Sequence, residues 1–502
     1  MADTSGIRVY HAPRTRSIRV LWLLQEMGLP HEIVPVKFDS RPAGDEAYAE
    51  IHPLRKVPAL DDKGTIVLES LAIVQYLLGR YGPSPLEVTP DEADYGRYLQ
   101  WLHFGEAGMM MPVSLEKPIR GFPDKEFSER TANAQTLMAE NDVAGMLLMS
   151  EQDVRYFTGF HTLFWQSPTR PWFLFVPATG KPIAIIPEIG AELMRQNWIE
   201  DIRTWSAPNP EDDGISLLID LLKPFAKERE KIGLMKGHET KLQMPLSDWE
   251  RLNISLQGLK IVDVTGIVQG LRMVKSEAEI HKLKYICSIG SAAFEAVPEF
   301  AHIGISLEEV FREFRLSAIR HGADDAPYLV GAAGQGGYSN VISPPTKRPL
   351  QQGDIMMLDT GCTWDGYFCD FDRNWSIKHA TEDSKRAYDV LWRATQAGIE
   401  AAKSGNTCLE LFECMSAVLA EMDQSGGDIG RLGHGLGMQL TEQPSLASFD
   451  ATELKENMVI TIEPSLSYGD GLMMVHEENI VVRPDGAELL TSRAPVDLPV
   501  VI

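Results

Sequence analysis

The stretch Met357–Asn374, MLDTGCTWDGYFCDFDRN, sets four aspartates (Asp359, Asp365, Asp370 and Asp372) into eighteen residues of otherwise apolar and turn-forming sequence. Carboxylates so close together in an apolar setting repel one another and are costly to desolvate. Three arrangements accommodate them: a solvated turn, a proton-sharing pair, or a shared metal ion. MMLDTG and GYFCDF flank Thr363–Gly366, where Asp365–Gly366 is a strong hairpin signal. Asp359 and Asp370 are eleven residues apart. A turn centred on Trp364–Asp365 sets them directly opposite, and one centred on Asp365–Gly366 sets them diagonally. Both registers put them on one sheet face within reach of a shared ion. Asp365 is accounted for by the turn alone. Asp372 shares the face one step further out, where Arg373 or another surface cation would partner it.

Three further segments add donors of the same kind. GHGLG, Gly433–Gly437, sets His434 among three glycines, where backbone approaches closely and an imidazole has little steric cover. VITIEPSL ends an apolar β-branched strand on Glu463 and breaks it at Pro464. MMVHEENIVV buries Glu477 or Glu478 within a strand, Glu478 being the one read as facing solvent. Hard oxygen donors with one imidazole suit Mn, Fe, Co or Zn, commonly as a bridged pair about 3.5–4 Å apart. Such a pair lowers the pKa of a shared water, making hydroxide available near neutral pH.

At 502 residues the chain exceeds a single core, and two or three domains are expected. A net charge of −24 speaks against a phosphate-binding surface, hence against nucleic acid, and against docking on anionic membranes. No run is long and apolar enough to span a bilayer, and MADTSGIRVYHAPRTR lacks a signal peptide's apolar core. Five scattered cysteines without a CxxC pair read as buried thiols in a reducing compartment. A soluble, cytoplasmic protein is expected.

Along the chain, residues 7–80 alternate β-α-β-α-β-β-α, with a hairpin across Asp62, Lys63 and Gly64. DYGRYLQWLHFGEAGMMM is a further helix, and SLEKPIRGFPD reads as a linker. A second α/β pattern begins at Asp124, and a third, α+β segment opens with SEAEIHKLKYICSIG, where Ser276 and Glu279 fit a capping box. The expected domains are 1–82, a helix and linker over 83–121, an α/β domain over 122–265 and an α+β domain over 266–502.

From about residue 122 to 502 the chain resembles the "pita-bread" metallopeptidases, which include aminopeptidase P, prolidase, methionine aminopeptidase and the metal-free creatinase. DTGCTWDGYFCDFDRN, GHGLGMQLTEQP, TIEP and VHEENIVV carry the likeness, with RMVKSEAEI matching the opening of the catalytic domain. The resemblance implies a creatinase-type α/β domain before a pita-bread catalytic domain. It implies two divalent metal ions held by Asp359, Asp370, His434, Glu463 and Glu477, with Asp370 and Glu477 bridging. His434 and Glu463 would be catalytic, Glu463 as proton shuttle. The implied reaction is attack of activated water on a small amide, most plausibly an Xaa-Pro bond in a short peptide. All five ligands being present argues against a metal-free site. Two departures stand out: Ile342 and Thr441 occupy positions where the family's peptidases carry histidines. They leave non-peptide hydrolysis or lyase chemistry (creatinase, ectoine hydrolase or dimethylsulfoniopropionate lyase type) and a catalytically silent binding role as alternatives. Family dimers complete the site from a partner's N-terminal domain. His161 is a candidate for that role and His476 for an alternative proton source, though both are expected to be structural.

Residues 7–82 resemble the thioredoxin-like domain of glutathione transferases. KVPAL would make Pro58 a cis proline with the Val57 backbone pairing to glutathione, and Glu69–Ser70 would receive its γ-glutamyl carboxylate at a helix N-terminus. Ser17, or Thr15, would supply the thiol-activating hydroxyl. About one helix of the usual all-helical second domain follows, so a role in dimerisation or stability is favoured over transferase turnover.

Overall fold

The computed structural model describes residues 6–12, 15–36, 48, 51–52, 56–103, 118–167, 170–422 and 430–501. Two compact units emerge, Met1–Lys117 and Pro118–Ile502. In the first, β1 (Ile7–His11), α1 (Ser17–Glu26), β2 (Glu32–Pro35), β3 (Ala59–Asp62), β4 (Thr65–Leu68) and α2 (Ser70–Tyr81) form a sheet of order β2-β1-β3-β4. Only β1 and β2 run parallel. Ile7 and Val9 alternate inward from β1, and Val20, Leu24, Ile73 and Leu77 of the two helices close on them. This is the expected thioredoxin-like layout, with the helix expected between β2 and β3 lying outside the described residues. Helix α3 (Tyr95–His103) follows, and the rest of the helix expected to Met111 lies outside the described residues, as do Lys37 and Phe38 of the second strand.

The second unit opens with α4 (Asp124–Glu140), β5 (Gly145–Leu148), α5 (Glu151–Thr158), β6 (Phe173–Pro177), β7 (Ile183–Pro187), β8 (Asp201–Trp205), α6 (Ile215–Glu228), β9 (Lys231–Leu234), α7 (Leu246–Ser255) and β10 (Lys260–Asp263). Their six strands run β10-β9-β5-β6-β7-β8. Then come α8 (Thr265–Met273), α9 (Glu277–Glu295) and α10 (Leu307–His321). Ser276 accepts from the Glu279 amide at 3.2 Å and the Glu279 carboxylate accepts from the Ser276 amide at 2.9 Å, closing the expected capping box.

The remaining strands build two five-stranded sheets. One contains β11 (Asp325–Gln335), β12 (Asp354–Trp364), the short β13 (Tyr367–Phe368), β14 (Phe371–Ile377) and, at the far end of the chain, β22 (Val500–Val501). After α11 (Glu382–Ala401) and α12 (Cys408–Leu419), the other runs β16-β15-β17-β20-β21 from β15 (Arg431–Gly435), β16 (Glu442–Ala447), β17 (Val459–Ile462), β20 (Glu478–Arg483) and β21 (Gly486–Leu489). Between them β18 (Ser465–Tyr468) pairs with β19 (Leu472–Val475). One apolar cluster runs from Phe127, Met146 and Trp172 to Leu283, Phe371 and Trp375, so the early α/β layer and the catalytic-type sheet share a core. Among the described residues no helix is long and apolar enough to cross a membrane. All five cysteines are free thiols, four of them buried.

The aspartate stretch is the β12–β14 hairpin. Trp364 pairs with Tyr367, so the loop is Asp365–Gly366 with φ of 47° and 78°, the left-handed pair that a tight two-residue turn requires. A Cβ on Gly366 would lie 2.3 Å from Arg155 Nη1, so glycine is required here twice over. The register then sets Asp359 opposite Asp372, with Asp370 diagonal, the second of the two expected arrangements.

Asp365 does much more than turn the chain, contrary to the sequence reading. Its carboxylate accepts from Lys282 Nζ, from Arg155 Nη2 at 2.9 Å and from the Gly121 amide at 2.8 Å. Lys282 also faces the Phe122 ring at 4.2 Å. Replacing Asp365 with alanine leaves Lys282, whose side chain is 2% exposed, without its counter-charge. A loss of about 3–5 kcal/mol is expected in urea denaturation. A loss within the range of a surface ion pair, under about 1 kcal/mol, would show that water reaches the lysine.

Candidate metal centre

Each candidate donor is held by backbone or side-chain contacts outside the cluster. Asp370 lies between β13 and β14, out of the ladder, and the Asn479 side chain of β20 replaces the missing strand bonds. Asn479 Oδ1 accepts from the Asp370 amide at 3.0 Å, and its Nδ2 donates to the Asp370 carbonyl. Asp359 accepts from the Tyr328 hydroxyl of β11 at 3.2 Å. Glu463 follows β17 directly, its amide bonded to the Leu432 carbonyl of the strand alongside at 2.9 Å. Glu477 stands in the break between β19 and β20. Gly433, with φ of 140°, lets β15 approach so closely that a Cβ would lie 2.2 Å from the Thr461 carbonyl. The His434 amide then donates to Thr461 Oγ1 at 3.1 Å.

The electrostatics leave this cluster wanting a cation. His434 Nδ1 lies 2.9 Å from the Gly435 carbonyl, which can only accept, so Nδ1 carries the proton. Burial pulls the imidazole down to about 4, and its neutral form keeps a lone pair on Nε2. That nitrogen sits 3.5 Å from Asp370 Oδ2 and 3.8 Å from Glu463 Oε2. Donor atoms of Asp370, His434 and Glu477, all three buried, lie within 4.8 Å of one another. Asp359 Oδ1, Asp372 Oδ1 and Glu477 Oε1 are buried without a hydrogen-bond partner among the described residues. Burial and then mutual repulsion push Asp370 and Glu477 well above the usual carboxylate range, and Asp359 and Glu463 also rise, chiefly through burial. Facing acceptors with orphaned oxygens fit divalent cations, and the oxygen-rich donor set with one imidazole suits the hard to borderline ions of the first transition row.

The surroundings correct several sequence readings. Asp372 is not a surface residue: it is 1% exposed, and Arg373 does not neutralise it. Arg373 donates instead to Glu478 at 2.9 Å and to the Glu477 carbonyl at 2.9 Å. Glu478 does not face solvent either. It is fully buried and held by Arg373, by Arg493 at 3.0 Å and by the Ala494 amide at 2.9 Å. His476 is buried against Thr395 Oγ1 at 3.0 Å and pulled down to about 3 by burial, so it stays a neutral imidazole and not an acid at neutral pH. His161 is half exposed, 3.0 Å from Arg155 Nη1. Ile342 is 75% exposed. Thr441 borders a small polar cavity with Glu239, Gln269, Gln439 and Gln443. Beside it Glu442 would be raised by burial, but Arg272 and Lys275 outweigh this and hold it at about 2. Tyr328 and Asn479 were not picked out from the sequence. The one available sign was a polar residue inside each apolar strand.

In the N-terminal unit the Val57–Pro58 bond is cis, Glu69 is exposed with φ of 70°, and Ser70 begins α2 as a buried residue. Ser17 is fully buried. Its hydroxyl lies 2.7 Å from His11 Nδ1 and 2.6 Å from Thr15 Oγ1.

Comparison with known proteins places these features. Residues 281–484 match the model of metallopeptidase family M24, residues 130–274 the creatinase/prolidase N-terminal domain and residues 5–79 the glutathione S-transferase N-terminal domain. The probable dipeptidase PepE of Mycobacterium bovis is 26% identical over 76% of this chain and 98% of its own length. The Xaa-Pro dipeptidase of Pyrococcus furiosus is 23% identical over 72% of this chain and 97% of its own. The crystal structure of dipeptidase PepE from Mycobacterium ulcerans superposes with a TM-score of 0.66 at 25% identity, covering 76% of this chain and 99% of that one.

The cluster's charge predicts how the metal-free protein responds to pH. Unfolded carboxylates titrate near pH 4, whereas folding raises Asp359 to about 7 and Glu463 to about 8. The folded state therefore binds these protons more tightly, and the stability they contribute is complete below the unfolded values and lost as pH rises through the folded ones. Scanning calorimetry of chelated protein should show Tm falling progressively from about pH 5 to about pH 8, and saturating Mn²⁺ should remove the fall. A chelated Tm that is flat or rises over that window contradicts the repulsion.

Proposed function

The chain belongs to metallopeptidase family M24, and from that premise we propose that it hydrolyses Xaa-Pro bonds in short peptides with metal-activated water. The observation that carries this reading is the lone pair of His434 Nε2 facing two carboxylates, among buried oxygens that have no partner. Asp359, Asp370 and Glu477 would hold one divalent ion, and Asp370, His434, Glu463 and Glu477 the other. Bound there, such a pair supplies Lewis acidity and a water of lowered pKa.

The chain's own residues do the rest. Tyr328 fixes the Asp359 carboxylate by one oxygen and leaves the other free, and Asn479 fixes the backbone beneath Asp370. The Gly435 carbonyl sets the imidazole so that Nε2 faces the cluster. Glu463 keeps 32% of its side chain exposed, so a proton taken at its carboxylate can pass to a departing amine. The peptide would lie on that open side. Thr441 and Ile342 stand where the family's peptidases have histidines, which keeps small non-peptide amides as the second reading.

In this proposal the domain limits are 82, 121 and 265, and the protein is a cytoplasmic homodimer whose five thiols stay reduced. The thioredoxin-like unit would support dimerisation or stability. Ser17 spends its hydroxyl on His11 and Thr15, so conjugation of glutathione to an aromatic halide should not exceed background. Turnover that Ser17→Ala abolishes would refute that.

The main test is a panel of Xaa-Pro dipeptides and tripeptides, assayed after loading with Mn²⁺ or Co²⁺. Xaa-Pro turnover is expected, with Glu463→Gln lowering kcat by about 10²–10⁴-fold when variant and wild type are both assayed at saturating Mn²⁺. Fully loaded protein that leaves every Xaa-Pro peptide intact but hydrolyses a guanidino compound or a cyclic osmolyte would decide for the second reading.

A further inference from the structure

A fifth carboxylate belongs with the candidate ligands. Resting on the metal reading above, we propose that Asp372 is an additional oxygen donor to the same metal pair.

The β12–β14 register sets Asp372 directly opposite Asp359, which places their Cβ atoms about 4.5–5.5 Å apart on one face of the sheet. Asp370, two residues earlier, shares that face. Asp372 is 1% exposed, and only one of its oxygens is accounted for. Oδ2 accepts from Asn374 Nδ2 at 2.9 Å, while Oδ1 is buried with no partner. Asn374 is itself locked. The Tyr338 hydroxyl donates to its Oδ1 at 2.9 Å, and its Nδ2 also donates to the Val475 carbonyl at 2.7 Å. Asn374 therefore grips Asp372 by one oxygen and orients the other.

Among the described residues no side chain donates a hydrogen bond to that free oxygen. The adjacent Arg373 commits its guanidinium to Glu478 and to the carbonyls of Asp372, Glu477 and Ser492. A buried carboxylate oxygen without a donor is expensive, and the same physics explains the orphaned oxygens of Asp359 and Glu477. A pair of cations beside the Asp370, His434 and Glu477 donors would offer each of the three a partner. Five carboxylates against a single imidazole make this an unusually hard donor set, suited to Mn²⁺ above softer ions.

The test is calorimetric titration of the chelated full-length protein with Mn²⁺, comparing wild type, Asp372→Asn, Asp372→Ser and Asp370→Ala. Asp372→Asn preserves shape and can still accept from Asn374. In wild type about two ions should bind per chain. Both Asp372 variants should weaken at least one Mn²⁺ site by about tenfold or more. Their metal-free Tm should stay level or rise, because an unpaired buried carboxylate is gone. Co²⁺-loaded protein supplies an independent signature: losing a coordinating oxygen shifts the visible absorption bands. Mn²⁺ constants within about twofold of wild type in both variants, with unchanged Co²⁺ bands, would overturn the proposal and leave Asp372 a buried acid. Asp370→Ala separates the two levels of inference. If it binds Mn²⁺ as wild type does, the metal reading itself fails and the proposal falls with it.

Discussion

Asp359 and Asp372 face each other across two neighbouring strands, with Asp370, Glu463 and Glu477 close by and almost no water to separate them. Like charges at this spacing in a buried site repel strongly, and each also loses its hydration. Proton uptake or a bound cation relieves the repulsion.

Three nearby arginines are committed to carboxylates other than the candidate ligands. Arg373 and Arg493 are held on Glu478, and Arg272 is held between Asp153 and Glu442. Each of these pairs is buried, so each guanidinium is already matched to a carboxylate that needs it. Glu477 and Glu478 are adjacent in sequence yet opposite in role. One has an oxygen with no partner, and the other has every oxygen occupied. Glu477 lies in the break before β20 and Glu478 opens that strand, where its side chain alone meets Arg373, Arg493 and Thr491.

The same contrast explains what could be read from the chain and what could not. Asp359, Asp370, His434, Glu463 and Glu477 stood out because polar residues interrupted apolar runs, and the Asp365–Gly366 turn limited the register to two choices. Capping at Ser276 and the β-α-β order of the first unit were equally local, and so equally legible. Asp372 was misread because its nearest cation in sequence, Arg373, points through the sheet to Glu478. Asn479 and Tyr328 act on aspartates 109 and 31 residues away, respectively. Nothing in a single sequence announces such pairings. Asp365 was taken for a turn residue because its partners, Arg155 and Lys282, come from elements far upstream.

Those partners tie the whole arrangement together. A two-residue loop sets the hairpin register, and that register alone decides that Asp359 meets Asp372 and lies diagonal to Asp370. A slip of one residue would send the aspartates to the other face. Such a slip would have to move Asp365, which is bonded at once to Arg155 on α5, to Lys282 on α9 and to the Gly121 amide. The clamp lies at the far end of the hairpin from the aspartate pair and touches none of the candidate ligands. It therefore transmits the position of the early α/β layer into the spacing of the carboxylates. In this chain a charge that looks like ordinary turn chemistry is what makes the geometry of the candidate metal site depend on the α/β layer before it.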